Sequence, residues 1–260
     1  MSELKGDLIA RHNRWASEAG QDKIKNLRTG LGYGDFLNFG YWTGETRTGQ
    51  QACVAMLDRL LAWIPDKSGS ILDVACGLGA TSRHLLAHYP PESLTGINIA
   101  DEQIAYCREK IPGARFQVMR AETLAFEDAS FDNVICVEAA FHFETRLDFL
   151  KEARRVLKPG GRLVLSDILV AVAAKLQPPE NRITGLDQYR ALYDEAGFAS
   201  VEIEDATQQC IMRQTEVVWD FVRKAYADGH VGKPGFERVK QDLLSRRRYG
   251  TYVLAAARKA

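Results

Sequence analysis

The sequence has no excess of either charge, since lysine and arginine together number 34 and so do aspartate and glutamate. Broad electrostatic binding to nucleic acid or to anionic membranes requires a cationic surplus, so neither partner is expected. A long apolar run is also missing, because Asp167 interrupts the most apolar stretch, residues 163–174. This argues against an integral membrane protein, and the polar N-terminal region lacks a signal-peptide core. We therefore expect a cytoplasmic location.

Cysteines with metal-ligand spacing are lacking as well. The five cysteines are scattered along the chain, which suggests reduced thiols. His84 and His88 have the four-residue spacing of metal ligands on a helix, but no carboxylate motif accompanies them in the sequence. A surface position without metal is the favoured interpretation, and the sequence predicts no metal site.

What the sequence does contain is a glycine loop between a strand-like and a helix-like segment. A short apolar run ends at Val74 and is followed by Ala75-Cys76-Gly77-Leu78-Gly79. This order is typical of the place where an open α/β sheet receives a nucleotide-like ligand. Glycine allows the sharp turn and the close approach of a ligand. Asp73, just before the turn, could organise the loop or meet a cationic ligand through water.

The residues after the two glycines disfavour two known kinds of phosphate-binding loop. A dinucleotide-binding turn usually has a third glycine three residues after the second, where this chain has Ser82. A Walker loop needs Gly-Lys-Ser/Thr, which residues 78–81 do not supply. A plain turn between strand and helix stays an alternative for this segment on its own.

Strand-like and helix-like segments alternate along the chain, which implies right-handed βαβ units and a mainly parallel sheet. The predicted fold is α/β, Rossmann-like and doubly wound. A helical cap is expected over residues 1–65 and a core over residues 66–260, with a helical insert at residues 207–248. The predicted strands are Ser70–Val74, Leu94–Ile99, Ala114–Met119, Phe131–Val137, Gly161–Ile168, Phe198–Asp205 and Tyr249–Ala257.

Several motifs in order resemble class I S-adenosylmethionine-dependent methyltransferases, in particular the small-molecule branch that includes ubiquinone, tocopherol and natural-product methylating enzymes. They read ILDVACGLGATSRHL, LTGINIADEQIAYCREK, RAETLAFEDASFDNVICVEAAFHF and FLKEARRVLKPGGRLVLSDI. LNFGYW is similar to the segment that closes over the cofactor, and TYVLAAARK resembles the last strand. The resemblance implies seven strands with an antiparallel C-terminal strand, S-adenosyl-L-methionine as cofactor and a small-molecule substrate. A homodimer is compatible with it.

The resemblance also implies which residues hold the cofactor. The glycine loop would lie against its amino-acid part, and Asn98 would contact the ribose where most family members have an acid. An amide accepts one hydrogen bond and donates another but lacks the charge, and Gln103 could assist it. Glu122 would meet the adenine amine, or would be a solvated loop acid. The expected set is Asp73, Ala75, Gly77, Gly79, Asn98, Ile99, Gln103, Ala121, Glu122 and Glu138.

The segment after the fourth strand supplies the candidate catalytic residue. By the same resemblance it lines the junction of cofactor and substrate. His142 is the best candidate general base, because the ordinary pKa of histidine allows proton uptake near neutrality. The alternatives are a structural hydrogen bond or substrate positioning. Phe141 and Phe143 offer apolar surface to the substrate.

Aromatic residues near the N-terminus are the other expected substrate contacts. Tyr33, Phe36 and Trp42 would form a lid or an aromatic wall. The alternative is that they only pin the N-terminal segment to the core, which is common for aromatic residues.

Three functions are compatible with the sequence. The leading hypothesis is methylation of a hydroxyl on a small, moderately apolar metabolite by direct in-line transfer. The second hypothesis is N- or C-methylation of a small molecule with the same cofactor. The third is a non-catalytic or dinucleotide-binding α/β protein. The acceptor itself is not encoded in any motif, because the pocket draws on the N-terminal region and on residues 215–248.

Overall fold

The protein is described by a computed structural model that covers residues 28–169, 181–246 and 250–260. Residues 1–27 of the predicted cap, the end of the predicted insert and the predicted strand start at Tyr249 lie outside the described residues. Seven strands form one sheet: β1 Ile71–Val74, β2 Leu94–Asn98, β3 Arg115–Val118, β4 Phe131–Val137, β5 Leu157–Ile168, β6 Ser200–Asp205 and β7 Tyr252–Arg258.

The strand order is β3-β2-β1-β4-β5-β7-β6. Strands β1 to β5 pair in parallel, and β7 runs antiparallel to both of its neighbours. The predicted doubly wound, mostly parallel sheet with an antiparallel C-terminal strand is therefore confirmed. The order reverses between β1 and β4, which creates the crevice where open α/β sheets bind ligands.

Helices lie between the strands and on both faces of the sheet. The described helices are α1 Gly49–Ala62, α2 Ala80–Leu85, α3 Asp101–Lys110, α4 Arg146–Val156, α5 Leu186–Ala196, α6 Arg213–Ala227 and α7 Lys233–Arg246. In this part of the chain, no helix has both the length and the apolar character needed to cross a bilayer.

The core forms two large apolar clusters because successive residues of a strand point to opposite faces. Ile71, Ile135 and Val164 belong to one cluster, with α1 and α6. Leu72 and Val134 belong to the other, with α4 and α5. All four residues of β1 are buried, as expected for a parallel strand covered on both faces.

The start of β5 differs most from the prediction. Helix α4 ends at Val156, and β5 begins at Leu157, so Pro159-Gly160-Gly161 lies inside a strand instead of before it. The register shifts opposite this stretch, because Phe131 pairs with Leu157 but Asn133 pairs with Arg162. Gly160 has a φ of 79° there. The predicted start of this strand at Gly161 was therefore wrong, since an irregular stretch of strand admits residues that normally stop regular structure.

The described part of residues 207–248 is helical except for a turn over residues 228–232. A π-helical turn, Gln208–Met212, leads directly into α6, and α7 follows it. Val218 and Val222 of α6 are buried in the same cluster as Leu31 and Tyr33. The insert therefore packs against the N-terminal segment.

Candidate active site

A cleft opens at the carboxyl ends of β1 to β4. It encloses about 570 Å³ of empty space, including its open mouth. Parallel strands bring their carboxyl ends to one edge, so residues far apart in sequence meet here. The lining residues are Ala75, Ile97, Asn98, Ile99, Met119, Arg120, Ala121, Glu122, Ala139, His142, Phe143 and Glu144.

The glycine loop forms one end of this region. Ala75, Gly77 and Gly79 all have positive φ values, of 59°, 54° and 74°. A Cβ on Gly79 would lie 2.7 Å from the Ile111 side chain, so both space and backbone conformation require glycine there. A Cβ on Gly77 would lie 3.2 Å from the Leu37 side chain. The N-terminal segment thus passes directly over the loop.

Asp73 is fully buried beneath the loop at the end of β1. Burial raises the pKa of its carboxyl to about 7, although the hydrogen bond from Ser82 acts in the opposite direction. The Ser82 hydroxyl donates to the carboxylate at 2.6 Å. Ser82 occupies the position of the missing third glycine, so this residue ties the start of α2 to the strand. Asp73 does not line the cleft and organises the loop from below.

Asn98 lies on the cleft wall at the end of β2, where the sequence places it. Its side-chain oxygen accepts from the Ile99 amide at 2.9 Å, and its amide nitrogen donates to Gln103. Both Asn98 and Gln103 are buried. The two side chains that were expected to share a ribose contact are therefore paired with one another, with Asn98 facing the cleft.

Glu122 lines the cleft after β3, next to the buried Ala121. Its carboxylate accepts from the Glu144 amide at 2.7 Å. Arg120 lies 3.4 Å from Glu122 and 3.2 Å from the carboxylate of Glu144. Glu122 is thus partnered and fixed to the loop after β4, which disfavours the alternative of a solvated loop acid.

Glu138 directly follows β4 and adopts a left-handed conformation with a φ of 52°. A positive φ is uncommon for residues other than glycine and often marks functional sites. The carboxylate accepts from the Phe39 amide at 2.8 Å and from the Tyr252 hydroxyl at 2.7 Å. Glu138 therefore joins the N-terminal segment and β7 at the edge of the cleft.

His142 sits in a short 3₁₀ turn, Ala140–His142, and lines the cleft. Its ring centroid lies 3.9 Å from that of Phe141. Phe143 also lines the cleft and packs edge-to-face on Phe149 at 5.0 Å. The structure thus brings His142 and Phe143 to the same wall, while Phe141 packs against the core cluster that contains α1.

A buried polar network holds this turn from behind, and sequence reasoning missed it. Asn181 donates to the backbone oxygens of Ala140 and Phe143, at 3.0 and 2.8 Å, and accepts from the Arg146 amide at 2.8 Å. The Arg146 guanidinium lies 2.6 Å from Asp167. Burial lowers the pKa of Arg146, but the charge of Asp167 and its hydrogen bond outweigh it, so the pKa is raised. One signal was available: Asp167 is an acid inside an apolar strand.

The N-terminal aromatics lie in the core, outside the cleft lining. Tyr33, Phe36 and Trp42 are all buried. The Tyr33 hydroxyl donates to the Phe39 carbonyl at 3.2 Å and the Trp42 ring nitrogen donates to the same oxygen at 2.8 Å. Burial raises the pKa of Tyr33 to about 12. The hydrogen bonds hold the backbone of the segment itself, and the buried rings pack it into the core. Their part in an aromatic wall stays a prediction.

The residues present fit an extended ligand with an adenosine end and an amino-acid end. The apolar wall of the cleft includes Ile97, Met119 and Ala139, which were not predicted. Asn98 and Glu122 place polar atoms along it, and the glycine loop lacks the side chains that would fill the far end. Such a mix of apolar surface with a few convergent polar groups is typical of cofactor sites.

Comparisons with known proteins agree with this geometry. A family described as a methyltransferase domain matches residues 72–165. The 27-O-demethylrifamycin SV methyltransferase of Amycolatopsis mediterranei (strain S699) is 33% identical over 207 residues, which cover 73% of this chain and 75% of that protein. The erythromycin 3''-O-methyltransferase of Saccharopolyspora erythraea is 31% identical over 240 residues, covering 82% and 78%.

The fold agrees as well. The solved structure of the cyclopropane synthase MmaA2 from Mycobacterium tuberculosis superposes with a TM-score of 0.71 at 18% identity, covering 92% of this chain and 95% of that one. From the motifs, the sheet and these relatives together, the chain belongs to the class I S-adenosylmethionine-dependent methyltransferases and uses that cofactor in methyl transfer.

Proposed function

We propose that this enzyme methylates a hydroxyl group of a small, moderately apolar natural product and that His142 is the general base. The position of His142 on the cleft wall carries the proposal, because it is the histidine among the described residues that lines the cleft. The two relatives named above support it, since their names place them in natural-product methylation, one explicitly at oxygen.

The cofactor, when bound, supplies a methyl group already activated by its sulfonium. The protein then has to position the acceptor, exclude water and accept a proton. Ala139 and Phe143 give the wall around His142 an apolar surface that excludes water. The imidazole takes the hydroxyl proton at a ring nitrogen. Asn181 fixes the turn that carries it, so this residue is a positioning residue.

The cofactor contacts form part of the same proposal. Asn98 and Gln103 hold the ribose, and Ala121 and Glu122 hold the adenine. The amino-acid end lies on Ala75, Gly77 and Gly79, above Asp73. We also propose that residues 1–65 and 207–248 form the substrate-facing part of the protein. Leu37 against the glycine loop and Phe39 on Glu138 support a role of this segment in closing the site.

The acceptor can be identified with isotope-labelled S-adenosylmethionine. The enzyme is incubated with a metabolite extract and labelled products are found and fragmented by mass spectrometry. We expect a labelled methyl ether. A labelled N-methyl or C-methyl product would contradict the hydroxyl assignment and leave the methyltransferase assignment intact. Calorimetric titration with the cofactor and with NADH tests the cofactor separately.

Replacing His142 tests the base. We expect His142→Ala to lower kcat by roughly 10²- to 10⁴-fold, the usual contribution of general acid–base catalysis. Calorimetric affinity for the cofactor should change little. His230→Ala, at an exposed histidine between α6 and α7, is the matched control and should keep full activity. Unchanged kcat in His142→Ala would remove this residue from the base role.

A further inference from the structure

We propose that Asp58, His84 and His88 bind a divalent transition-metal ion such as Zn²⁺ on the outer surface, where α1 meets α2 and the turn that follows α2. The site is separate from the cleft, because none of the three residues lines it. It departs from the expectation of no metal site, which rested on the absence of a carboxylate near the two histidines in sequence. The fold supplies that carboxylate from α1, 26 residues before His84.

The three side chains already converge. One potential ligand atom of each lies within 4.8 Å of those of the other two. Asp58 Oδ1 is 2.8 Å from His84 Nε2, and the two imidazole centroids are 6.1 Å apart. A tetrahedral zinc ion with bonds of about 2.0–2.2 Å separates neighbouring ligand atoms by roughly 3.3 Å. Small side-chain rotations are therefore enough to close the site.

The exposure of the side chains permits those rotations. The Asp58 side chain is 58% exposed and that of His84 is 17% exposed, while His88 is exposed. His84 is thus the fixed ligand, and the other two can turn towards a shared ion without disturbing the core.

The local charges do not oppose a cation. Arg59 follows Asp58 and is paired with Glu204 at 2.6 Å. Arg83 precedes His84 and is paired with Asp35. Both neighbouring guanidinium groups are therefore paired with carboxylates outside the cluster, and the Asp58 carboxylate faces the histidine pair.

The donor set selects the class of ion. Two imidazoles and one carboxylate suit zinc, copper or nickel better than magnesium or calcium, which prefer oxygen ligands. Three protein ligands leave a fourth position for water. A bound ion would tie α1 to the helix that begins directly after Gly79, so it would stabilise the support of the glycine loop.

The test uses the full-length, tag-free protein freed of metal by a chelator. ZnCl₂ is titrated by calorimetry, and the thermal midpoint is measured with and without it. We expect one zinc ion per wild-type chain and a higher midpoint, because a ligand that binds only the folded state stabilises it. His88→Ala should lose both effects, with an affinity loss beyond the roughly 10- to 100-fold typical of outer-shell partners.

His88→Ala also separates a metal site from a plain ion pair. His88 is exposed, so without metal this variant should melt like the wild type. Asp58→Asn should lose zinc binding as well, and His230→Ala, at an exposed histidine outside the cluster, should retain it. The proposal is overturned if wild-type protein fails to bind zinc, or if His88→Ala or Asp58→Asn binds it as tightly as wild type.

Discussion

At the scale of single residues, the most unusual environment is that of Asp73, a carboxyl buried beneath the cofactor loop. The Ser82 hydroxyl, a neutral group, donates a hydrogen bond to its carboxylate. A buried acid with a neutral partner favours its protonated form, because burial penalises the charge. Burial accordingly raises its pKa to about 7.

This makes stability without cofactor depend on pH. In the unfolded chain an aspartate ionises near pH 3.9, roughly three units below the folded value, which corresponds to on the order of 4 kcal/mol. The contribution of Asp73 to stability is complete below about pH 3.9. It falls as the pH rises towards 7, because the unfolded state loses its proton first.

Asp73→Asn should remove this dependence. The free energy of unfolding of the variant, measured by urea denaturation of the cofactor-free protein, should increase relative to that of wild type as the pH rises from about 4.5 to 7. Asp187→Asn removes the same charge at an exposed position and is the matched control. If the difference in the free energy of unfolding between Asp73→Asn and wild type stayed constant across this range, the pKa of the Asp73 carboxyl would be the same in the folded and unfolded states.

At the scale of elements, the 3₁₀ turn after β4 has little structure of its own and depends on neighbours. Its three residues are too few to be stable alone. Asn181 reaches it from a distant part of the chain and is itself held by the Arg146 amide. The Arg146 guanidinium in turn pairs with the buried Asp167. The orientation of His142 is therefore set by tertiary contacts.

Asn181→Ala should test this dependence. The variant leaves the carbonyls of Ala140 and Phe143 without their donor, which should lower stability by about 1–3 kcal/mol. We expect kcat to fall more than the KM for cofactor rises, since the turn carries the base. Gln241→Ala, at an exposed residue of α7, is the control and should be near neutral. Equal kcat in both variants would argue against a positioning role for Asn181.

The elements also show what the sequence could predict. The alternation of strand-like and helix-like segments and the glycine loop predicted the strand ends that form the cleft. These features can be read from the sequence because strand and helix periodicity and glycine conformation are local properties. Contacts made across the fold were missed. Asn181 lies in no motif, and Asp58 joins the histidine pair only through helix packing. The irregular start of β5 was missed because Pro-Gly-Gly normally ends regular structure.

At the scale of the whole molecule, Glu138 is the point where distant parts of the chain meet. Its carboxylate binds the Phe39 amide of the N-terminal segment and the Tyr252 hydroxyl of β7. Burial and the charge of Glu138 raise the pKa of Tyr252 well above its ordinary value, so the phenol stays protonated and donates. One residue thus connects both ends of the described chain to a central strand.

Tyr252→Phe should weaken this connection. Loss of a hydrogen bond to a charged group should lower the free energy of unfolding by about 1.5–3 kcal/mol in urea denaturation. Tyr226→Phe changes an exposed tyrosine of α6 and should have almost no effect. A Tyr252→Phe protein as stable as wild type would mean that Glu138 finds an equally good donor elsewhere.

The placement of β7 has a consequence for synthesis. Residues 252–258 lie between β5 and β6 and pair with both. While the chain is being made, β6 therefore has no neighbour, and both strands expose unpaired edges until Arg258 has emerged. Open edges of this kind favour aggregation. The last step of folding follows translation of these residues, so this stage should depend most on chaperones.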